Sequence, residues 1–238
     1  MRINLATFDL DHTLVRRRSP NLVTLKMKAI EYAIAEVFGI REVHYMRHLG
    51  PELFGMTDRS IMRAVLLKLG VDPMTVDDNL NRLFAVMLDY FERSIQANPE
   101  PEYGRLEGVF ALLDFLNKSG VRCGLATGNY SAFAWWKLKS SGLDRFFGFG
   151  GFGEDGEDRA KILQTALDRG GYGDGMTACH FGDSPADILA ARANGVLSAA
   201  VSIEAGGKFP DRDLEEAGAG MIIRSYSDID AIAEFLGL

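Results

Sequence analysis

Apolar and polar residues change rhythm twice along this chain, near residue 20 and near residue 103. The first run, 3–10, is short, apolar, partly β-branched and closed by acids, the pattern of a buried strand. From 21 to 38 apolar residues recur at helical spacing: Leu22, Leu25, Met27, Ile30, Ala33, Ile34 and Val37, with Gly39 placed as a C-cap. A second helix is predicted over 57–69, with Thr57 or Asp58 as N-cap and Gly70 as stop. A third spans 75–97 and is closed by Pro99 and Pro101. The stretch from about 20 to 100 therefore reads as all-helical.

After Tyr103 the chain alternates. Helices are predicted at 106–118, 131–140, 159–169, 185–193 and 228–235; strands are predicted at 121–126, 146–149, 177–181, 197–203 and 221–223. Strands separated by single helices imply right-handed βαβ units and a parallel sheet. The expected class is α/β: a Rossmann-like parallel-sheet core from residues 1–18 plus 103–238, with a small all-helical domain, 19–102, inserted in it.

Ligands of such sheets bind beyond the carboxyl ends of the strands. Three strand ends carry polar sets: Asp9-Leu10-Asp11-His12-Thr13, Thr127-Gly128-Asn129, and Gly182-Asp183-Ser184-Pro185-Ala186-Asp187. Side by side, they would bring Asp9, Asp11, Asp183 and Asp187 together near the hydroxyl of Thr127. Four converging carboxylates repel, and a hard divalent cation with oxygen ligands, magnesium, is the natural partner. Such an ion would also screen an anionic substrate from an anionic nucleophile. Asp9 would then attack phosphorus, and Asp11, two residues on, would protonate the leaving group and later deprotonate water. Thr127 and nearby backbone N–H groups would hold the phosphoryl oxygens, and a basic side chain would complete the charge balance.

These segments resemble three motifs of the haloacid dehalogenase (HAD) superfamily of phosphohydrolases: Asp9 to Thr13 the first, Ala126-Thr127-Gly128-Asn129 the second, and Gly182 to Ile188 with Ala190 to Gly195 the fourth. The resemblance implies Asp9 as nucleophile and Asp11 as acid and base. It implies magnesium on Asp9, Asp183 and the backbone carbonyl of Asp11, with Asp187 as ligand or support. The helical insert resembles the family's small α-helical cap, which closes over substrate. The family's third motif, a Lys usually followed by Pro, has no clean counterpart; Arg159 is favoured for the role and Lys161 is the alternative. His12 stands where the family often has Gly. Family members that expel halide do not need an acid at the Asp11 position, whereas an alkoxide leaving group benefits from a proton. Asp11 therefore favours phosphate esters, in the neighbourhood of phosphoglycolate phosphatases. A phosphosugar mutase using the same aspartates is the first rival, and a non-catalytic binding protein with the same fold is the second. In such relatives the loop Gly55-Met56-Thr57-Asp58-Arg59 faces the active site, which makes Arg59 a candidate for substrate selection together with Thr127, Gly128 and Asn129.

Composition narrows the partners. A formal net charge of −7 argues against a general affinity for nucleic acid or an anionic membrane and leaves a small phosphorylated metabolite as the expected partner. No stretch reaches the roughly 18 apolar residues of a membrane helix. Together with Cys123 and Cys179, read as two reduced thiols, this gives a cytoplasmic expectation, as monomer or homodimer. Several patterns have plainer readings. Gly148 to Gly153 fits a dinucleotide-loop spelling, but the acids from Glu154 to Asp158 would repel a pyrophosphate. His44 and His48 lack a third zinc ligand, Arg16-Arg17-Arg18 reads as a solvated hinge, Ser184 as a helix cap, and Trp135 and Trp136 as packing.

Overall fold

A computed structural model describes residues 2–50, 55–95 and 101–238. The chain divides into two compact units, one of residues 1–16 and 103–238, the other of residues 17–102.

In the first unit six parallel strands form one sheet in the order β5-β4-β1-β6-β7-β8. They are β1 (Leu5–Phe8), β4 (Arg122–Ala126), β5 (Phe147–Gly151), β6 (Ala178–Gly182), β7 (Leu197–Val201) and β8 (Met221–Ile223). The helices between them are α5 (Val109–Lys118), α6 (Ser131–Ser141), α7 (Arg159–Arg169), α8 (Pro185–Ala193) and α9 (Asp211–Glu216), and α10 (Ile229–Leu236) follows the last strand. Ala6 pairs with Cys123 on one side and Cys179 on the other, so β1 is central, between the strands carrying the second and fourth motifs. All four residues of β1 are buried, as expected for a strand covered on both faces. The main core packs Phe8 against Phe181, stacked at 4.5 Å, and against Phe147 edge-on at 5.9 Å. Both thiols are free and buried, and burial pushes the Cys123 thiol up to about 12.

The second unit contains α1 (Leu25–Phe38), α2 (Tyr45–Leu49), α3 (Asp58–Lys68) and α4 (Pro73–Ile95). Its longest pair, α1 and α4, includes Tyr32 stacked on Tyr90 at 4.5 Å. A two-stranded sheet of β2 (Val15–Arg17) and β3 (Tyr103–Arg105) marks where the chain leaves the first unit and returns. No described helix is long and apolar enough to cross a membrane.

Several element starts differ from the sequence reading, and local chemistry explains each difference. α1 begins at Leu25 rather than 21, because Thr24 Oγ1 accepts from the Met27 N–H as N-cap. α4 begins at Pro73 rather than 75, because Asp72 Oδ1 accepts from the N–H groups of Met74 and Thr75. α5 begins at Val109 rather than 106, because Gly108 sits at φ 75°. The predicted end of the third helix at Ala97, and its stop at Pro99, lie outside the described residues. The short elements α2, α9, β2 and β3 carry too few residues for a periodic signal.

Candidate active site

The site stands at the carboxyl edge of β1, β4 and β6. Asp9 is the first residue past β1, and its N–H donates to Phe181 O at 2.8 Å, so β6 fixes its backbone. The chain then turns sharply. His12 adopts φ 63°, and its N–H donates to Val15 O at 2.8 Å. That left-handed conformation is one an L side chain occupies at a cost of roughly 1–2 kcal/mol, the physical reason a glycine suits this position. The turn leaves Asp11 with a side chain 37% exposed while Asp9 is buried.

At the end of β6, Asp183 follows Gly182, and Ser184 opens α8 with a capping box. Ser184 Oγ accepts from the Asp187 N–H, and Asp187 Oδ2 accepts from both the Ser184 N–H (3.2 Å) and Oγ (2.7 Å). Pro185 occupies the first helical turn. Asp187 folds back so closely that a Cβ on Gly182 would fall 2.3 Å from its Cβ, which excludes every side chain larger than hydrogen.

Three carboxylates result from this folding. Oxygens of Asp9, Asp183 and Asp187 lie within 4.8 Å of one another, and all three residues are buried. Among the described residues this is the one group of three or more His, Cys, Asp or Glu side chains so placed. Arg159, in the first turn of α7, inserts its guanidinium between two of them, 3.1 Å from Asp9 Oδ1 and in an ion pair with Asp187 Oδ1. His180 Nε2 stands 3.6 Å from the same Asp187 oxygen, and its Nδ1 is hydrogen-bonded to Thr7 Oγ1 at 3.0 Å.

These contacts separate the acids electrostatically. Burial raises Asp9 above the ordinary carboxylate value of 3.8, an effect Arg159 opposes and Asp187 and Asp11 reinforce. Burial, then Asp9 and Asp187, hold Asp183 well above 3.8, against the Lys208 N–H at 2.9 Å and the charge of Arg159. Burial would raise Asp187 too, but Arg159, His180 and Ser184 outweigh it and hold it below the ordinary range. Asp187 is thus saturated by protein donors, while Asp183 is under-compensated.

The donor set suits a hard divalent cation. Three carboxylates against one guanidinium leave two negative charges when all are ionised, which one divalent cation balances. Asp9 and Asp183 are the residues with oxygen to offer; Asp187 is engaged in holding Arg159 and the start of α8.

Beyond β4, Thr127 is fully buried, with its N–H donating to Gly151 O at 3.0 Å. Asn129 Nδ2 donates to Thr127 Oγ1 at 3.0 Å and to Asp11 Oδ2 at 2.9 Å. Gly128 lies against Gly153, whose Cβ, if present, would be 2.4 Å from Gly128 O. Gly150, Gly151 and Gly153 of this run therefore serve close packing: a Cβ on Gly151 would likewise fall 2.0 Å from Ile162 O of α7.

Of the two basic candidates after β5, Arg159 reaches the acids. Lys161 points along α7 to Gln164 Oε1 at 3.2 Å. Arg59 belongs to the helical unit and donates to Asn81 Oδ1 at 3.3 Å. His44 lies 3.2 Å from Glu31 as an exposed pair, and Arg17 Nη1 donates to Leu22 O.

One site residue escaped the sequence reading. Lys137 of α6 is 3% exposed, and its Nζ donates to Asp11 Oδ1 (2.8 Å), Asp11 Oδ2 (2.6 Å) and Asn129 Oδ1 (2.8 Å). The signal was present. The buried face of α6 is Phe133, Ala134, Lys137, Leu138 and Ser141, and a lysine at the centre of such a stripe demands a buried partner.

Comparison with known proteins identifies the family and the fold. The profile of the haloacid dehalogenase-like hydrolase family matches residues 6–201. No curated protein sequence matches. Among solved structures, a predicted phosphatase from Clostridium acetobutylicum is similar over 98% of this chain and 100% of its own, with TM-score 0.67 and 22% identity. A predicted phosphoglycolate phosphatase from Haemophilus somnus covers 98% of this chain and 99% of its own, at TM-score 0.63 and 17% identity. A Thermotoga maritima protein assigned as a β-phosphoglucomutase covers 98% of this chain and 99% of its own, at TM-score 0.58 and 20% identity. At these identities the structural likenesses speak for the fold. The family profile spans most of the chain and takes in the strand ends that carry Asp9, Thr127 and Asp183: this chain belongs to the haloacid dehalogenase-like hydrolase family.

Proposed function

We propose that this protein is a magnesium-dependent phosphatase that hydrolyses a small phosphate monoester through an aspartyl-phosphate on Asp9. The observation that carries the reading is the buried trio of Asp9, Asp183 and Asp187 within 4.8 Å, relieved by the Arg159 guanidinium on Asp9 and Asp187, with His180 3.6 Å from Asp187. Asp9 and Asp183 would hold magnesium together with the backbone carbonyl of Asp11, and Asp187 would support them through Arg159. The ion would supply positive charge that lets an anionic nucleophile meet an anionic ester.

The chain's own groups account for both half-reactions. An Asp9 carboxylate oxygen bonds to phosphorus, the ester P–O bond breaks, and Asp11 gives its proton to the departing oxygen, releasing an alcohol. Asp11 then takes a proton from water. The water oxygen bonds to phosphorus, the P–O bond to Asp9 breaks, and inorganic phosphate leaves. The Thr127 hydroxyl, the backbone of Gly128 and the Asn129 amide would hold the non-bridging oxygens, and Arg159 would add positive charge beside Asp9. Residues 19–102, inserted after the first motif, would act as the cap that selects the substrate, with Arg59 as a selecting residue.

A panel of phosphate monoesters with Mg²⁺, run on wild type and Asp9→Asn, tests the reading. Free phosphate should appear with at least one small ester, and the variant should lose at least about 10³-fold while keeping its circular dichroism spectrum. Absence of turnover across the panel would overturn it. Conversion of a sugar phosphate without net phosphate release would replace it with a mutase.

A further inference from the structure

We propose that Lys137 is a positioning residue, a buried ammonium that fixes the direction in which Asp11 presents its carboxyl group to the leaving oxygen. This rests on the reading of Asp11 as proton donor and acceptor.

The observation is an asymmetric ion pair. The Lys137 side chain is 4% exposed and that of Asp11 is 37% exposed, so the cation is rooted inside the fold while the carboxylate stands at the rim of the site. Three contacts use the ammonium's three donors: both Asp11 oxygens and Asn129 Oδ1. The Tyr103 ring lies 5.0 Å from Nζ and covers another side. Asn129 is tied to the same set, since its Nδ2 donates to Asp11 Oδ2 and to Thr127 Oγ1. Its amide can face only one way, because Oδ1 must meet the ammonium. Lys137, Asn129, Asp11 and Thr127 form one connected network in which the acid/base group and the phosphate-facing hydroxyl share an anchor.

Packing alone does not call for a lysine here. The residue lies on the buried stripe of α6 between Phe133, Ala134, Leu138 and Ser141, where an apolar side chain of similar length would avoid the desolvation of an ammonium. A buried charge that spends all its donors on one catalytic carboxyl and its neighbour is best explained by what it does for that carboxyl.

The prediction separates positioning from general stability through the leaving group. An alkyl phosphate releases a poor leaving group and depends on a well-placed proton; an activated aryl phosphate releases a stable phenolate and does not. Lys137→Met should lower kcat/KM for an alkyl ester that the wild type hydrolyses by about 10²-fold or more, within the span of general acid catalysis, and for 4-nitrophenyl phosphate by less than about 5-fold. In an Asp11→Asn background the same substitution should cost almost nothing further. Lys137→Gln, which keeps a donor and loses the charge, serves as the second variant. Equal losses on both esters, additivity with Asp11→Asn, or unfolding of both variants would overturn the proposal, because each marks a structural role. Asp9→Asn is assayed alongside. If it stays active the phosphatase reading itself falls; if it is inactive while Lys137→Met loses evenly, only the role of Lys137 falls.

Discussion

Replacing Arg159 by Met removes the one described guanidinium in contact with the acid cluster and leaves Asp187, 1% exposed, as a buried carboxylate held by Ser184 and approached by His180 at 3.6 Å. Breaking a buried pair from one side costs about 3–5 kcal/mol, because the remaining charge stays desolvated. Ser184 keeps two hydrogen bonds on Asp187, so the lower end, about 3 kcal/mol, is the expected loss. At about 2–4 °C per kcal/mol for a chain of this size, the transition of the sheet unit should fall by roughly 6–12 °C in calorimetry. Arg159→Met/Asp187→Asn should regain at least half of that, since the stranded charge is gone. Turnover should fall by about 10²–10³, the usual effect of removing a preorganised positive partner at the reacting centre. Lys161→Gln is the control: its Nζ contacts Gln164 rather than the cluster, so stability and activity should stay near wild type. A loss below about 1 kcal/mol for Arg159→Met, or no recovery in the double variant, would refute the view that Arg159 holds Asp187 against its own burial.

Two further outcomes follow from the same electrostatics. Asp9 and Asp183 are raised above 3.8 in the fold, so without metal the folded state binds more protons than the unfolded one, and stability falls as pH rises from about 4. Asp187 has the opposite sign and contributes stability that is lost only as pH falls below 3.8. Mg²⁺ at about 100 times its Kd should add about 2.7 kcal/mol, or roughly 5–10 °C, and at fixed Mg²⁺ the increment should shrink as pH falls and the raised carboxyls of Asp9 and Asp183 take up protons; an increment independent of pH, or one retained in Asp183→Asn, would contradict the site. Gly182→Ala would place a methyl 2.3–2.6 Å from Asp187 atoms, so it should cost roughly 2–4 kcal/mol by overpacking and loss of the capping box, and it should abolish the Mg²⁺ shift. Gly173→Ala, with open space around its Cβ, should do neither in the same melts.

What could be read from sequence, and what could not, divides along a physical line. Period and punctuation are local, and they placed α7 (Arg159–Arg169), α8 (Pro185–Ala193) and β8 (Met221–Ile223) at their observed bounds. The sheet order needed only one further step, since parallel βαβ units put the strands bearing Asp9, Thr127 and Asp183 side by side. Directions of side chains are not local. Arg159 and Lys161 are two residues apart on one helix, so they differ by about 200° around its axis. Which of them faces the acids depends on how α7 lies across the sheet, set in part by Gly151 abutting Ile162 O. Lys137 shows the converse case. Its place on α6 was legible, but its partner is 126 residues away, and nothing near it in sequence names Asp11. The buried stripe states that a partner must exist, because an ammonium at 3% exposure would otherwise cost several kcal/mol. Only the fold says that the partner is Asp11, the proposed proton donor. Sequence thus locates the groups proposed to do the chemistry, and the three-dimensional packing reveals the groups that hold them in place.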